Sequence, residues 1–176
     1  RGFLRLPAPD RFPSRGCIVT PASIVFTVGH SNHPIDTFIE LLKRHDIEKV
    51  VDVRSAPFSR HVPHFNKKRI EACLQDHGIE YHHLGRCLGG RPEDARYYDD
   101  HGAVRYDLLA LGKEFRDCIE LLLTLIPVGR VALLCGEENP SRCHRRLLIT
   151  PVLVARGVDG IHIRGDGRLE SKESLD

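Results

Sequence analysis

Residues 130–153 read RVALLCGEENPSRCHRRLLITPVL, and the fold of the whole chain is read outward from them. Residues 131–134 form a short apolar run that stops at Cys135. A polar turn with Pro140 follows, and Cys143-His144-Arg145-Arg146 opens a second apolar run. A buried strand, a tight loop and the start of a helix produce this pattern. At such a junction the unpaired N–H groups of the helix's first turn face whatever the loop holds. This loop holds two thiols, an imidazole, three guanidinium groups and two carboxylates.

The same alternation continues on both sides. Ile24-Val25-Phe26-Thr27-Val28 is a β-branched, apolar strand ended by Gly29-His30-Ser31-Asn32. A helix starts near Pro34, with Asn32 or His33 at its cap and Ile35, Phe38, Ile39, Leu41 and Leu42 on its apolar face. Val50-Val51-Asp52-Val53 is a second strand, again ending in polar groups. An irregular loop over 54–66 precedes a helix over 67–76 that Gly78 closes. Residues 79–84 make a third, more polar strand, nearer an edge, and residues 85–98 a second long loop. One or two helices span 106–125. The helix that opens at Cys143 runs to residue 154 with an interruption near Pro151, and residues 159–163 make a fifth short strand.

Strands that alternate with helices imply right-handed crossovers and a mainly parallel sheet. The expected fold is therefore a Rossmann-like α/β domain, a three-layer α/β/α sandwich with about five strands. Residues 23–165 are expected to form this single domain, as 176 residues allow. Residues 1–22 contain four prolines and no apolar periodicity, and the chain has no methionine. They read as an extended arm or an expression-derived tail, and residues 166–176 as a solvated tail.

Composition narrows the function classes. With 26 basic and 24 acidic residues, net charge is +2, so any anion or nucleic-acid binding must come from a local patch. No apolar run approaches the ~20 residues of a membrane span, and there is no secretory signal pattern. A cytoplasmic protein with no membrane partner is expected. Its six cysteines are then expected to be reduced thiols, with Cys73 and Cys118 as small core hydrophobes.

Several ordered motifs now add a resemblance. Thr27-Val28-Gly29-His30-Ser31, Asp52-Val53-Arg54, Ser59-Arg60 with Phe65, Leu88-Gly89-Gly90, Leu134-Cys135-Gly136-Glu137 and Cys143-His144-Arg145 resemble the domain-of-unknown-function family 488, found mainly in prokaryotes. The likeness runs from about Ile24 to Ile163. It implies a compact α/β domain and no particular reaction. The segment from Glu93 to Asp100 departs from the family in being shorter and more acidic.

In a parallel α/β sheet, ligands bind outside the carboxyl ends of the strands. His30 and Ser31, Asp52 and Arg54, His83 with Arg91, and Cys135 with Glu137 fall there. The first reading is an anion pocket for a phosphate or nucleotide, in a hydrolase or transferase. Ser31, Arg54, Arg60, Arg91, His144 and Arg145 would hold the ligand. His30, Asp52, Glu137 and Cys143 would carry catalysis, His30 by proton transfer and Cys143 as the better-activated thiol. Against it stands a set of ion pairs that merely tie loops to the sheet edge. A second reading is a rhodanese-like or phosphatase-like thiol enzyme. Cys135 to Arg142 is C-x6-R instead of C-x5-R, and two loop glutamates oppose an anion, so Cys135 reads as structural.

A third reading is a nucleic-acid-binding module without catalysis, in which Arg54, Arg60, His61, His64 and residues 67–69 interleave with Phe58 and Phe65. His61-x2-His64, His82-His83 with Cys87, and Cys143-His144 contain ligand types, but none has a strong zinc spacing. No metal ligand and no cofactor are assigned on sequence. The expected partner is an anionic small molecule or a nucleic acid.

Overall fold

The computed structural model describes residues 23–171. The arm expected over 1–22 lies outside them. Six strands form one sheet: β1 (Ser23–Gly29), β2 (Lys49–Asp52), β3 (Glu80–His83), β4 (Val131–Cys135), β5 (Val158–Ile163) and β6 (Leu169–Glu170). Their order is β3-β2-β4-β1-β5-β6, and every pairing is parallel except that of β6 with β5. The α/β expectation holds, with β3 at the edge as its polar residues imply. The sixth strand falls where a solvated tail was expected. Gly167 at φ 84° and the bond from the Arg164 N–H to the Arg168 carbonyl fold residues 164–168 back onto β5.

All five residues of β4 are buried, as a central parallel strand requires. Side chains alternate along the central strands and divide the core in two. Phe26, Val28, Val50, Ala132 and Leu134 pack with α1 (Ile35–Arg44) and α2 (Lys67–Asp76). Val25, Val51, Val53, Val131 and Leu133 pack with α3 (Gly85–Leu88), α4 (Tyr106–Leu111) and α5 (Lys113–Leu125). Gly112 separates α4 from α5, so the span read as one or two helices is two.

Three local expectations need correction. The α1 cap is Pro34, which makes no side-chain bond. Asn32 and His33 sit instead in a tight turn, with Ser31 at φ 44° and the His33 N–H on the His30 carbonyl. Cys118 and Cys87 are not free thiols; they are joined in a disulfide between α5 and α3. The link could not be read from spacing, because it depends on the packing of α3 against α5. Finally, the helix after Cys143 has a wide π turn over Arg145–Ile149 before α6 (Thr150–Val154). Pro151 has no N–H to donate and its ring crowds the carbonyl four residues back. The wide turn relieves that clash, and the Thr150 hydroxyl donates to the Arg145 carbonyl at 2.6 Å.

Candidate functional site

The loops after β1, β2 and β4 meet at the carboxyl edge of the sheet. Chain direction reverses there: the connection after β1 runs to β2 across one face, and the connection after β4 runs to β5 through α6. Such a reversal opens a crevice between neighbouring strands, here β1 and β4. The two loops approach closely because residue 29 is glycine. A Cβ built there would lie 1.8 Å from the Glu137 carbonyl oxygen. The N–H groups of His30 and Ser31 then reach the carbonyls of Cys135 and Gly136, each at 2.9 Å.

A cavity of about 730 Å³ occupies the crevice. His30, Arg54, Arg91, Glu137, Cys143 and His144 line it, along with Cys135, Arg142, Glu93, Tyr106 and Phe58. Ser31, Asp52, Arg60 and Arg145 are not on its wall. Six of the ten residues singled out from sequence are thus brought together at one cavity.

Asp52 and Arg54 form a buried unit. Arg54 Nε and Nη2 donate to Asp52 Oδ1 and Oδ2 at 2.9 and 2.6 Å, and the Tyr81 hydroxyl donates to Oδ2 at 2.8 Å. Asp52 is 0% exposed, so its carboxylate orients Arg54 and meets no ligand. The same charge, together with burial, drives the Tyr81 phenol pKa strongly upward, burial being the larger cause. Arg54 Nη1 reaches His30 Nε2 at 3.0 Å, while His30 Nδ1 donates to the Ser31 carbonyl at 2.8 Å. Burial, then Arg54, lowers His30 to about 4. The imidazole is neutral with both nitrogens engaged, and it stacks on Phe65 at 4.3 Å. Its geometry fits a positioning role; no nitrogen is free for the proton transfer expected of it.

Arg145 stands behind the wall at 0% exposure. Its guanidinium donates to Thr27 Oγ1 at 3.1 Å, Cys143 Sγ at 3.3 Å, and the carbonyls of Glu137 and Glu138. Thr27 in turn hydrogen-bonds His162 Nδ1 at 2.7 Å. Arg145 therefore braces the β4 loop from inside and does not face a ligand. In a phosphatase-type cradle the loop N–H groups ring an anion. Here the Glu137 and Glu138 carbonyls of the loop turn inward to Arg145.

Cys135, Cys143 and His144 are packed together beneath the cavity, at 6%, 2% and 8% exposure. The two sulfurs are 3.2 Å apart, and His144 Nδ1 lies 3.8 Å from each. The Cys143 thiol donates to Cys135, which lowers Cys135 to about 6 and, with burial, raises Cys143 to about 12. This reverses the expectation from sequence, which favoured Cys143 as the activated thiol. The neighbours of each sulfur decide the order, and chain position alone does not show them. His144 Nε2 is 3.0 Å from the Val53 carbonyl. A carbonyl only accepts, so Nε2 carries the proton and Nδ1 presents a lone pair to the sulfurs.

Three features are not evident in the sequence. Arg142 stands there only as the arginine of the C-x6-R pattern, yet it lines the cavity with an exposed side chain. Tyr106 gave no signal beyond its place at a helix start. The Thr27–His162 pair is far apart in sequence and meets only through β1–β5 pairing.

Residues 34–151 match the family described as "Domain of unknown function DUF488", and the chain belongs to that family. No curated protein and no solved structure matches the chain. Among the described residues, no helix is long and apolar enough to cross a membrane.

Proposed function

We propose that the 730 Å³ cavity binds a small phosphate-bearing molecule of nucleotide or sugar-phosphate type, and that the protein acts on it as a hydrolase or transferase. One observation carries this reading: Arg91 and Arg142, from two separate loops, converge on the same cavity. Asp52 takes up the Nε–Nη2 edge of Arg54 and Nη1 reaches His30, so Arg54 braces the wall and leaves the ligand to the other two. Arg91 and Arg142 are exposed, and neither pairs with a carboxylate among the described residues. Glu93 and Glu137 share the wall. They disfavour a bare anion and favour one that also carries hydroxyl or amine donors. Glu137 is the carboxylate beside the β4 loop with its side chain unengaged among the described residues, and it takes the acid–base role.

The basic stretch over 60–69 supports nucleic-acid binding less well. Phe65, one of its two stacking candidates, is 0% exposed beneath His30 and Phe38. Phe58 alone stays open to stack a base.

Calorimetric titration with adenosine monophosphate, and with inorganic phosphate for comparison, tests the reading. The nucleotide is expected to bind saturably and more tightly than phosphate. Arg91→Ala and Arg142→Ala are each expected to weaken it about tenfold or more, since a hydrogen bond to a charged group contributes ~1.5–3 kcal/mol. Absence of saturable binding by either probe, or unchanged affinity in both variants, overturns the assignment.

A further inference from the structure

We propose that Cys135, Cys143 and His144 form a three-ligand site for a zinc-class divalent ion, with the fourth coordination position open to the cavity. All three ligand atoms lie within 4.8 Å of one another, and all three residues are buried. Tetrahedral zinc with bonds of about 2.3 Å to sulfur and about 2.0 Å to nitrogen needs S–S edges of about 3.8 Å and S–N edges of about 3.5 Å. The observed edges are 3.2 Å between sulfurs and 3.8 Å from each sulfur to His144 Nδ1. The sulfurs need to part by roughly 0.6 Å and His144 Nδ1 to close on each by roughly 0.3 Å to meet the zinc geometry.

The surroundings are those of a prepared ligand set. Val53 fixes the His144 tautomer that aims a lone pair at the sulfurs, the outer-shell contact that metal-bound histidines recurrently make. Gly90 leaves room for the ring, for a Cβ there would sit 2.7 Å from the His144 side chain. Arg145 Nε, donating to Cys143 Sγ, spreads the negative charge of metal-bound sulfur. Thiolate and imidazole together select zinc over magnesium or calcium, which take oxygen ligands. Binding releases the thiol protons, and two thiolates neutralise a divalent ion. An anion in the fourth position then balances the buried Arg145, which among the described residues pairs with no carboxylate. Three protein ligands facing a cavity is the arrangement of catalytic rather than structural zinc sites. Cys135 and Cys143, eight residues apart, give no recognised zinc spacing, so the site is invisible to motif counting.

Metal binding by these three side chains requires no nucleotide in the cavity, and the two are measured separately. Titration of the full chain, with its Cys87–Cys118 disulfide intact, with Co²⁺ is expected to saturate at one equivalent. It should give a thiolate-to-cobalt charge-transfer band and the intense visible bands of a tetrahedral ion, both removed by Zn²⁺. Cys143→Ser and His144→Ala should weaken binding by more than roughly a hundredfold, a larger loss than outer-shell changes give. Cys73→Ser should leave it intact. Because core variants can fail to fold, alkylation of the unaltered protein supplies a second measurement. Zn²⁺ should protect Cys135 and Cys143 more than about tenfold and leave Cys73 unaffected. A spectrum without thiolate charge transfer, or equal alkylation with and without Zn²⁺, overturns the proposal. So does a Cys135–Cys143 disulfide that forms in preference to the metal complex.

Discussion

Arginine is the residue whose role changes most between sequence and structure. Arg54 and Arg145 read from the chain as ligand contacts, but each has most of its donors committed inside the protein. Arg54→Ala would leave Asp52 buried without its partner, and breaking a buried pair costs about 3–5 kcal/mol. Arg145→Ala would strand two loop carbonyls and the Thr27 hydroxyl, with a loss on the order of 3 kcal/mol or more. Arg91→Ala and Arg142→Ala should each change stability by less than about 0.5 kcal/mol. Urea unfolding of the four variants checks this ranking; equal stability across them would remove the distinction between brace and contact.

Histidine titration belongs to the same scale. His30 and His162 are both lowered from 6.5 to about 4, by burial first and then by Arg54 and Arg145 respectively. In each case the unfolded chain binds the proton more readily than the folded one. Their contribution to stability is therefore complete above about pH 6.5 and is lost as pH falls toward 4. Melting temperature should drop across that window, and His162→Gln should flatten the drop. A flat profile from pH 7 to 4 would contradict the neutral state assigned to both rings.

Among the elements, strands were the more legible. Their β-branched runs stop at polar residues, and those stops mark the carboxyl edge where the cavity lies. The cavity wall was partly legible for the same reason: His30, Arg54 and Glu137 follow directly on strand ends. Features set by tertiary contact were not legible. The Cys87–Cys118 link, the burial of Arg145 and the two-residue β6 each depend on which segments pack together. The π turn before Pro151 lies between these cases. The proline announces a disturbance, but only the Thr150 bond to Arg145 shows how the backbone absorbs it. Gly29 tests the close approach of the β1 and β4 loops. A methyl group there meets the Glu137 backbone, which cannot rotate away as a side chain can. Gly29→Ala should destabilise by about 3 kcal/mol, the upper range for overpacking. A loss below roughly 1 kcal/mol in denaturant unfolding would show that the loops are free to separate.

At the scale of the whole molecule, the strand order explains why one edge of the sheet collects the chemistry. β1 and β4 lie side by side at the centre, yet the chain leaves them in opposite directions. The loop after β2 closes the third side. Arg54 is pinned there by Asp52, and Cys135, Cys143 and His144 form the floor. Family membership covers the segment from 34 to 151, which includes this floor and the arginines above it. Together these groups surround a phosphate-bearing ligand. Crystals soaked in 8-bromoadenosine monophosphate and examined by anomalous diffraction put this to the test. One dominant bromine peak is expected inside the cavity, with the phosphate within hydrogen-bonding reach of Arg91 and Arg142, and it should disappear in the Arg91→Ala, Arg142→Ala double variant. A cavity without the nucleotide, or a peak that survives in the double variant, overturns the assignment.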